Sequence, residues 1–293
     1  ISGGAETSMT LNASIALLIP LISTEGPSPN AQCLLYSMEL AIEHVNTRNP
    51  SVVPQLADLR PGFHMNYTLL DTQLSAAATV ELLMDYLFQS RWLASDGVQR
   101  AVLGPLLSDT AKPAALLAGA EQVPIVSYRA SAPELSSPNY KFFTRTIPSD
   151  ATSARLVVRL LYNSSVFTGW NNVAVIHQDD AWGTGYVTQM ELELRRVELR
   201  RSIPPEAASD VIPRTLLRLA FTNSHGSVER ALEAVNSSGY SVIVVVGRFH
   251  ATSHHGGASS LVDFLEVPDT PTRRACLSAH LLRRSNTHRF PSR

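Results

Sequence analysis

Only two cysteines, Cys33 and Cys276, occur in 293 residues. That excludes a scaffold built on disulfides and a cysteine-rich metal module. Charge is scarce too: charged residues make up 17% of the chain, against about 25% in a typical soluble domain. Lys plus Arg is 24 and Asp plus Glu is 25, a formal net charge of −1. A nucleic-acid binder, or a protein held on an anionic membrane, needs a basic excess that is absent here. Glycine (15) and proline (18) are too few for a collagen-like or disordered chain. Long apolar runs are missing as well: residues 13–22 are interrupted by Pro20, and 242–246 is a short β-branched run. A spanning helix needs about 20 apolar residues. There is no initiator Met and no signal-peptide pattern. The chain reads as soluble as given, and as a piece of something longer.

What is present is an alternation of short apolar runs and longer amphipathic ones. Residues 14–19, 65–71, 101–103, 123–128, 142–147, 172–177 and 240–246 read as strands. Between 31 and 48, Leu34, Leu35, Met38, Ala41, Ile42 and Val45 follow helical spacing, and Asn49-Pro50 ends it. Ser75 is placed to cap a second helix, and Ser108 or Asp109 starts an Ala-rich one to about residue 119. Helices are also expected from Asp150, over 183–197 and over 227–235. Strands alternating with helices across short connections mean parallel pairing by right-handed crossovers. Unbroken apolar strands such as Val173–Ile176 mean burial on both faces. The fold class is α/β, with open, doubly wound parallel sheets. Residues 144–150, containing Pro148 and a helix cap, suit a crossing between two such sheets. After Gly247 the pattern collapses. The division expected is 1–148 for a first lobe, 149–250 for a partial second lobe with too few strands, and 251–293 for an irregular tail.

In open α/β sheets, ligands bind beyond the carboxyl ends of the strands. Three loops lie there. Gly104-Pro-Leu-Leu-Ser108-Asp109-Thr110 allows a tight turn and sets a hydroxyl beside a helix N-terminus, a place suited to a carboxylate. Taken alone, Ser108 reads first as a plain N-cap. Ser127-Tyr128-Arg129-Ala130-Ser131 ends the fourth strand and is either a site loop or a surface turn. The third is His177-Gln178-Asp179-Asp180-Ala181-Trp182-Gly183, where Trp182 is a ligand-stacking face or a local core plug.

Enzyme signatures are missing. No G-x-G-x-x-G follows a strand, and Walker A and G-x-S-x-G are absent. His177 with Asp179 and Asp180 is too generic for a metal site, and no His/Cys spacing fits zinc. No catalytic residue, metal site or cofactor is expected. Four sequons occur, at Asn12, Asn66, Asn163 and Asn236; Asn66 and Asn163 are the glycosylation candidates, Asn66 the poorer one because it enters a strand.

With these loops in place, the chain resembles the extracellular ligand-binding region of class C G-protein-coupled receptors, GABA type B receptors in particular. The resemblance rests on Gln32-Cys33 with residues 39–46, on Leu69-Leu-Asp71-Thr72, on Ser127-Tyr128 through Ser136, on residues 143–150, and on Gly169-Trp170 with Trp182-Gly183. It implies a two-lobed clamshell of the periplasmic-binding-protein type I fold that closes on a small ligand. It implies ligand binding by Ser108, Ser131 and Trp182, with Ser108 on the ligand carboxylate and Trp182 covering from lobe two; Tyr128 and Arg129 join the candidate set as polar residues of the same strand-end loop. It further implies an amino acid or similar anion as ligand and a dimer through lobe one. The setting implied is the outer face of the plasma membrane, with membrane attachment only through parts absent from this chain.

There are departures from the resemblance. Asp109 and Arg129 replace small residues, and Asp109 would repel a carboxylate. The partner cysteine expected for Cys33 is missing from Asp71-Thr-Gln-Leu74. The alternatives are a receptor guanylyl cyclase ectodomain, a free solute-binding protein and, from another class, a Rossmann-like enzyme. The last is disfavoured by the lack of phosphate-loop glycines and catalytic pairs.

Overall fold

The computed structural model describes residues 12–23, 26–28, 30–92, 98–162, 172–201, 215–222, 224–240, 242–247 and 275–278. The chain divides into two compact units, Ile1–Ser149 and Asp150–Arg293.

The first unit is built from β1 (Asn12–Ile19), β2 (Ile22–Ser23), β3 (Gly26–Pro27), α1 (Ala31–Thr47) and β4 (His64–Asp71). It continues through α2 (Ala76–Trp92), β5 (Gln99–Leu103), α3 (Ser108–Ala120), β6 (Ile125–Ser127) and β7 (Phe143–Arg145). The main sheet runs β4-β1-β5-β6-β7, and every pair in it is parallel. The alternation along β1 explains the winding. Ala16 and Leu18 pack with Leu83, Leu87, Ala114 and Ala118 of α2 and α3, whereas Leu17 and Ile19 pack with Met38 and Ile42 of α1. Because both faces are covered, β1 reads as one continuous apolar run. The helix signals hold: the Ala78 N–H donates to Ser75 Oγ at 3.3 Å, and α1 ends one residue before Arg48, which takes a left-handed φ of 53°. The chain leaving β1 is fixed by Asp71, whose Oδ1 accepts the Leu21 N–H at 2.8 Å.

The second unit contains α4 (Ala151–Tyr162), β8 (Asn172–Gln178), α5 (Ala181–Arg201), β9 (Thr215–Phe221), α6 (His225–Ser238), β10 (Val242–Val246) and β11 (Ala275–Ser278). Its sheet is β11-β10-β8-β9, again parallel throughout. Val173 and Val175 pack under α4 and α5, and Ala174 and Ile176 pack against α6. In chain order within each unit, both sheets place the second strand outside the first, then the third and fourth on its other side.

Two strands differ from the sequence reading. β9 was not expected, because Arg218 breaks its leucine run and masks any period of two. β11 falls in the stretch expected to be an irregular tail; four residues carry no periodicity, and pairing with Val242–Val245 makes them a strand. The second sheet therefore has four strands among the described residues, covered by helices on both faces, where only two or three strands were expected.

Candidate functional site

In the order β4-β1-β5, the chain reverses its winding between β1 and β5, and ligands of doubly wound sheets bind at such a switch point. The loops after β5 and β6 converge there. Gly104, which ends β5, has φ +115°, and a Cβ on it would lie 2.5 Å from the Leu18 carbonyl oxygen. Only glycine fits that turn. Beyond it, Pro105 is buried and its carbonyl accepts the Ser127 hydroxyl proton at 2.8 Å.

Ser127 is fully buried and uses its whole hydrogen-bonding capacity. Besides donating to Pro105, its Oγ accepts the Ala130 N–H at 2.9 Å and the Arg129 N–H at 3.3 Å. Ser108 adds a second tie, with its Oγ accepting the Ala132 N–H at 3.3 Å. Arg145 holds the same segment by its carbonyls, donating to Ala132 O at 2.9 Å and Ala130 O at 3.4 Å. Lys112 of α3 pairs with Glu134 in the 3-10 turn Pro133–Ser136. The β6 loop is thus clamped to the β5 turn and α3 by buried hydroxyls and an ion pair, and to β7 by a guanidinium.

The expected site residues take distinct places in this frame. Ser108 is the first residue of α3, the N-cap position belongs to Leu107, and no side-chain cap bond forms there. The plain-cap reading of Ser108 therefore fails, and its hydroxyl serves the neighbouring loop. It is also 1% exposed. Ser131 is half-buried between buried Ala130 and Ala132. Tyr128 is half-buried and donates its hydroxyl to Leu18 O at 3.2 Å. Burial pushes its phenol well above the ordinary range, against the pull of the nearby Arg129 cation, so it stays a neutral donor. Arg129 is exposed. Asp109 lies in the first turn of α3, where its charge suits the helix dipole.

Trp182 belongs to the second unit. Its ring packs half-buried against the α4/α5 core, 6.2 Å from the Tyr186 ring, and its Nε1–H donates to Asp150 Oδ2 at 2.6 Å. Asp180 Oδ1 accepts the Gly183 N–H at 2.6 Å and so opens α5 at Ala181, two residues earlier than expected. Asn66 is exposed on β4, whereas Asn163 lies outside the described residues. Cys33 is exposed on α1 as a free thiol.

Sequence reasoning missed Ser127 and Arg145 as organising residues. Ser127 stood in a candidate loop, but nothing local shows that its hydroxyl reaches Pro105. Arg145 sits at the end of a three-residue strand, inside the 143–150 stretch that carries the resemblance, but nothing local shows that its guanidinium reaches the carbonyls of Ala130 and Ala132.

Doubly wound parallel units that match the receptor family ligand binding region place the protein in the periplasmic-binding-protein type I class. The receptor family ligand binding region matches residues 34–246, and the chain belongs to that family. Glutamate receptor 2.9 of Arabidopsis thaliana is 27% identical over 186 residues, 63% of this chain and 18% of that protein. Glutamate receptor 3.1 of Oryza sativa subsp. japonica is 34% identical over 128 residues, 42% of this chain and 13% of that protein. Taste receptor type 1 member 3 of Mus musculus is 30% identical over 173 residues, 53% of this chain and 18% of that protein. The chain spans less than a fifth of the length of each of these three. These relatives are receptors rather than enzymes. They are glutamate and taste receptors, so the resemblance to GABA type B receptors narrows no further than the family.

Proposed function

We propose that this chain is the extracellular ligand-binding region of a cell-surface receptor and takes a small amino-acid-like ligand over the β5 and β6 loops. The observation that supports this most is the clamped segment 130–132 at the switch point, with Ser131 half-buried and Arg129 exposed beside the N-terminus of α3. A rigid ledge of that kind costs little further ordering when a ligand settles on it. Two relatives are named glutamate receptors, which makes L-glutamate the first probe. In this reading Ser131 and Arg129 meet the ligand carboxylate, Tyr128 lines the ledge, Ser108 contributes from beneath, and Trp182 covers the ligand when the lobes close. Signal output through a G protein, with receptor dimers formed through lobe one, completes the reading. The coding sequence downstream tests that part: seven apolar segments support G-protein coupling, and one segment followed by a cyclase domain replaces it with a receptor guanylyl cyclase.

Calorimetric titration with L-glutamate and a panel of other amino acids tests the site. A hydrogen bond to a charged group is worth about 1.5–3 kcal/mol, so Ser131→Ala weakens binding roughly ten- to a hundredfold. Asp109→Asn strengthens it by removing a like charge. If a ligand binds and both Ser108→Ala and Ser131→Ala leave its affinity unchanged, the site is elsewhere.

A further inference from the structure

His177 ends the apolar run of β8 and is fully buried, yet no ligand reading uses it. Its ring is held at both nitrogens. Nδ1 lies 2.9 Å from the Gln178 carbonyl, and Nε2 lies 2.9 Å from Nε of Arg218 on β9. A guanidinium only donates, so Nε2 is the acceptor, and the ring proton sits on Nδ1, donated to Gln178. The imidazole is therefore neutral and its tautomer is fixed by two partners.

We propose that His177 and Arg218 form an acid-released latch holding the end of β8, with the turn that follows it, against β9. Protonation puts a hydrogen on Nε2, facing the Arg218 N–H. The bond is lost and two cations confront each other at hydrogen-bond distance. Arg218 is exposed and free to swing toward water. The carboxylates favouring the imidazolium are Asp179 and Asp180 in the next turn. Asp180 uses Oδ1 to cap α5 through the Gly183 N–H. A pull on Asp180 from a charged His177 loosens that cap and the Trp182 turn it starts.

Among the described residues, Asp150 beside Tyr186 is engaged by the Trp182 Nε1–H. The strand neighbours in register are Val246 of β10 and Ala220 of β9. In the core on this face of the sheet, α4 and α5 contribute the phenols of Tyr162 and Tyr186, uncharged near neutral pH. Glu193, further along α5, is engaged by Arg159 and Arg196. Burial moves the His177 pKa below its ordinary 6.5; the Gln178 bond opposes this, Arg218 reinforces it, and Asp179 and Asp180 oppose it. The unfolded chain thus takes up the proton more readily than the folded one. The latch's stability is complete above about pH 6.5 and is lost as pH falls from there toward the folded pKa.

The latch does not rest on the proposed ligand site, and its test uses no ligand. Thermal unfolding of the full chain from pH 7.5 to 5.0 should show Tm falling by roughly 3–6 °C below pH 6.5. His177→Gln should flatten that step. Arg218→Gln removes the opposing cation and should move the His177 titration midpoint, followed by the NMR shift of its ring Cε1–H, toward 6.5. Amide exchange at Gly183 should quicken with the same midpoint as the ring. An unchanged midpoint in Arg218→Gln, or Gly183 exchange blind to the His177 titration, overturns the latch. The NMR measurements need only the natural chain and Arg218→Gln, so they decide even if His177→Gln does not fold.

Discussion

The Ser127 hydroxyl donates to the Pro105 carbonyl at 2.8 Å, joining residues 22 positions apart in the chain. Through that bond the β5 turn and the β6 turn become one body, and the same oxygen then receives two amides of the segment it supports. Ser127→Ala leaves the buried Pro105 carbonyl and the Ala130 amide without this partner. Each such orphaned group costs about 1–3 kcal/mol, so urea denaturation should show a loss of about 2–4 kcal/mol. A loss under about 0.5 kcal/mol, the scale of an ordinary surface change, would show that the two turns do not depend on this hydroxyl.

Gly104 and Gly119 make a matched pair. Alanine at Gly104 combines a positive φ with a Cβ 2.5 Å from a backbone oxygen that has no rotamer to yield. Its cost should reach about 3 kcal/mol or more, with loss of the local turn. Alanine at Gly119, inside α3, meets nothing within 4 Å and should stabilise by about 0.5–1 kcal/mol. Equal effects at the two positions in chemical denaturation would contradict the described turn.

The Trp182 indole is fastened to Asp150 by a charge-assisted hydrogen bond of 2.6 Å. In a double-mutant cycle with Trp182→Phe and Asp150→Asn, a coupling of about 1–2 kcal/mol is expected. Zero coupling would free the indole for other work in the unliganded protein.

Cys33 lies exposed on α1 with its thiol free. Alkylation of the native chain without reductant should modify it quantitatively, read by intact mass and peptide mapping. A Cys33 that resists alkylation until reductant is added would mean that it is oxidised.

Much of the fold was open to reading because burial on both faces writes an unbroken apolar run. β1, β8 and β10 announce themselves in that way, and α1 does so through its three-four spacing. β6 and β7, three residues each, are shorter than the apolar runs around them. β9 and β11 were hidden for opposite reasons: β9 carries a charge inside its run, whereas β11 owes its state to a neighbour distant in sequence. α5 was placed late because Gly183 and Gly185 look like loop residues. Yet a Cβ at Gly183 would stand 2.3 Å from the Gln178 carbonyl, so that glycine is there for close packing at a helix start. At the site, strand ends gave the location of Ser108, Tyr128, Arg129 and Ser131. They did not show which partner each hydroxyl would find. Ser108, Ser127 and Ser131 are the same residue type within one neighbourhood, and their roles differ through partners set by tertiary packing.

The main-chain oxygen of Leu18 receives the Tyr128 hydroxyl and also stands where a Cβ of residue 104 would go. Side-chain replacement cannot delete a main-chain atom. Position 18 can therefore drift among apolar residues that fill the α2/α3 core while still presenting that oxygen. The burden of preservation falls on its two correspondents. At 104 the chain has a single permissible residue, and at 128 it needs a ring long enough to carry a hydroxyl across to β1. Tolerance to mutation around this ledge should therefore be lopsided, generous on the strand that supplies the anchor and strict on the turns that lean on it.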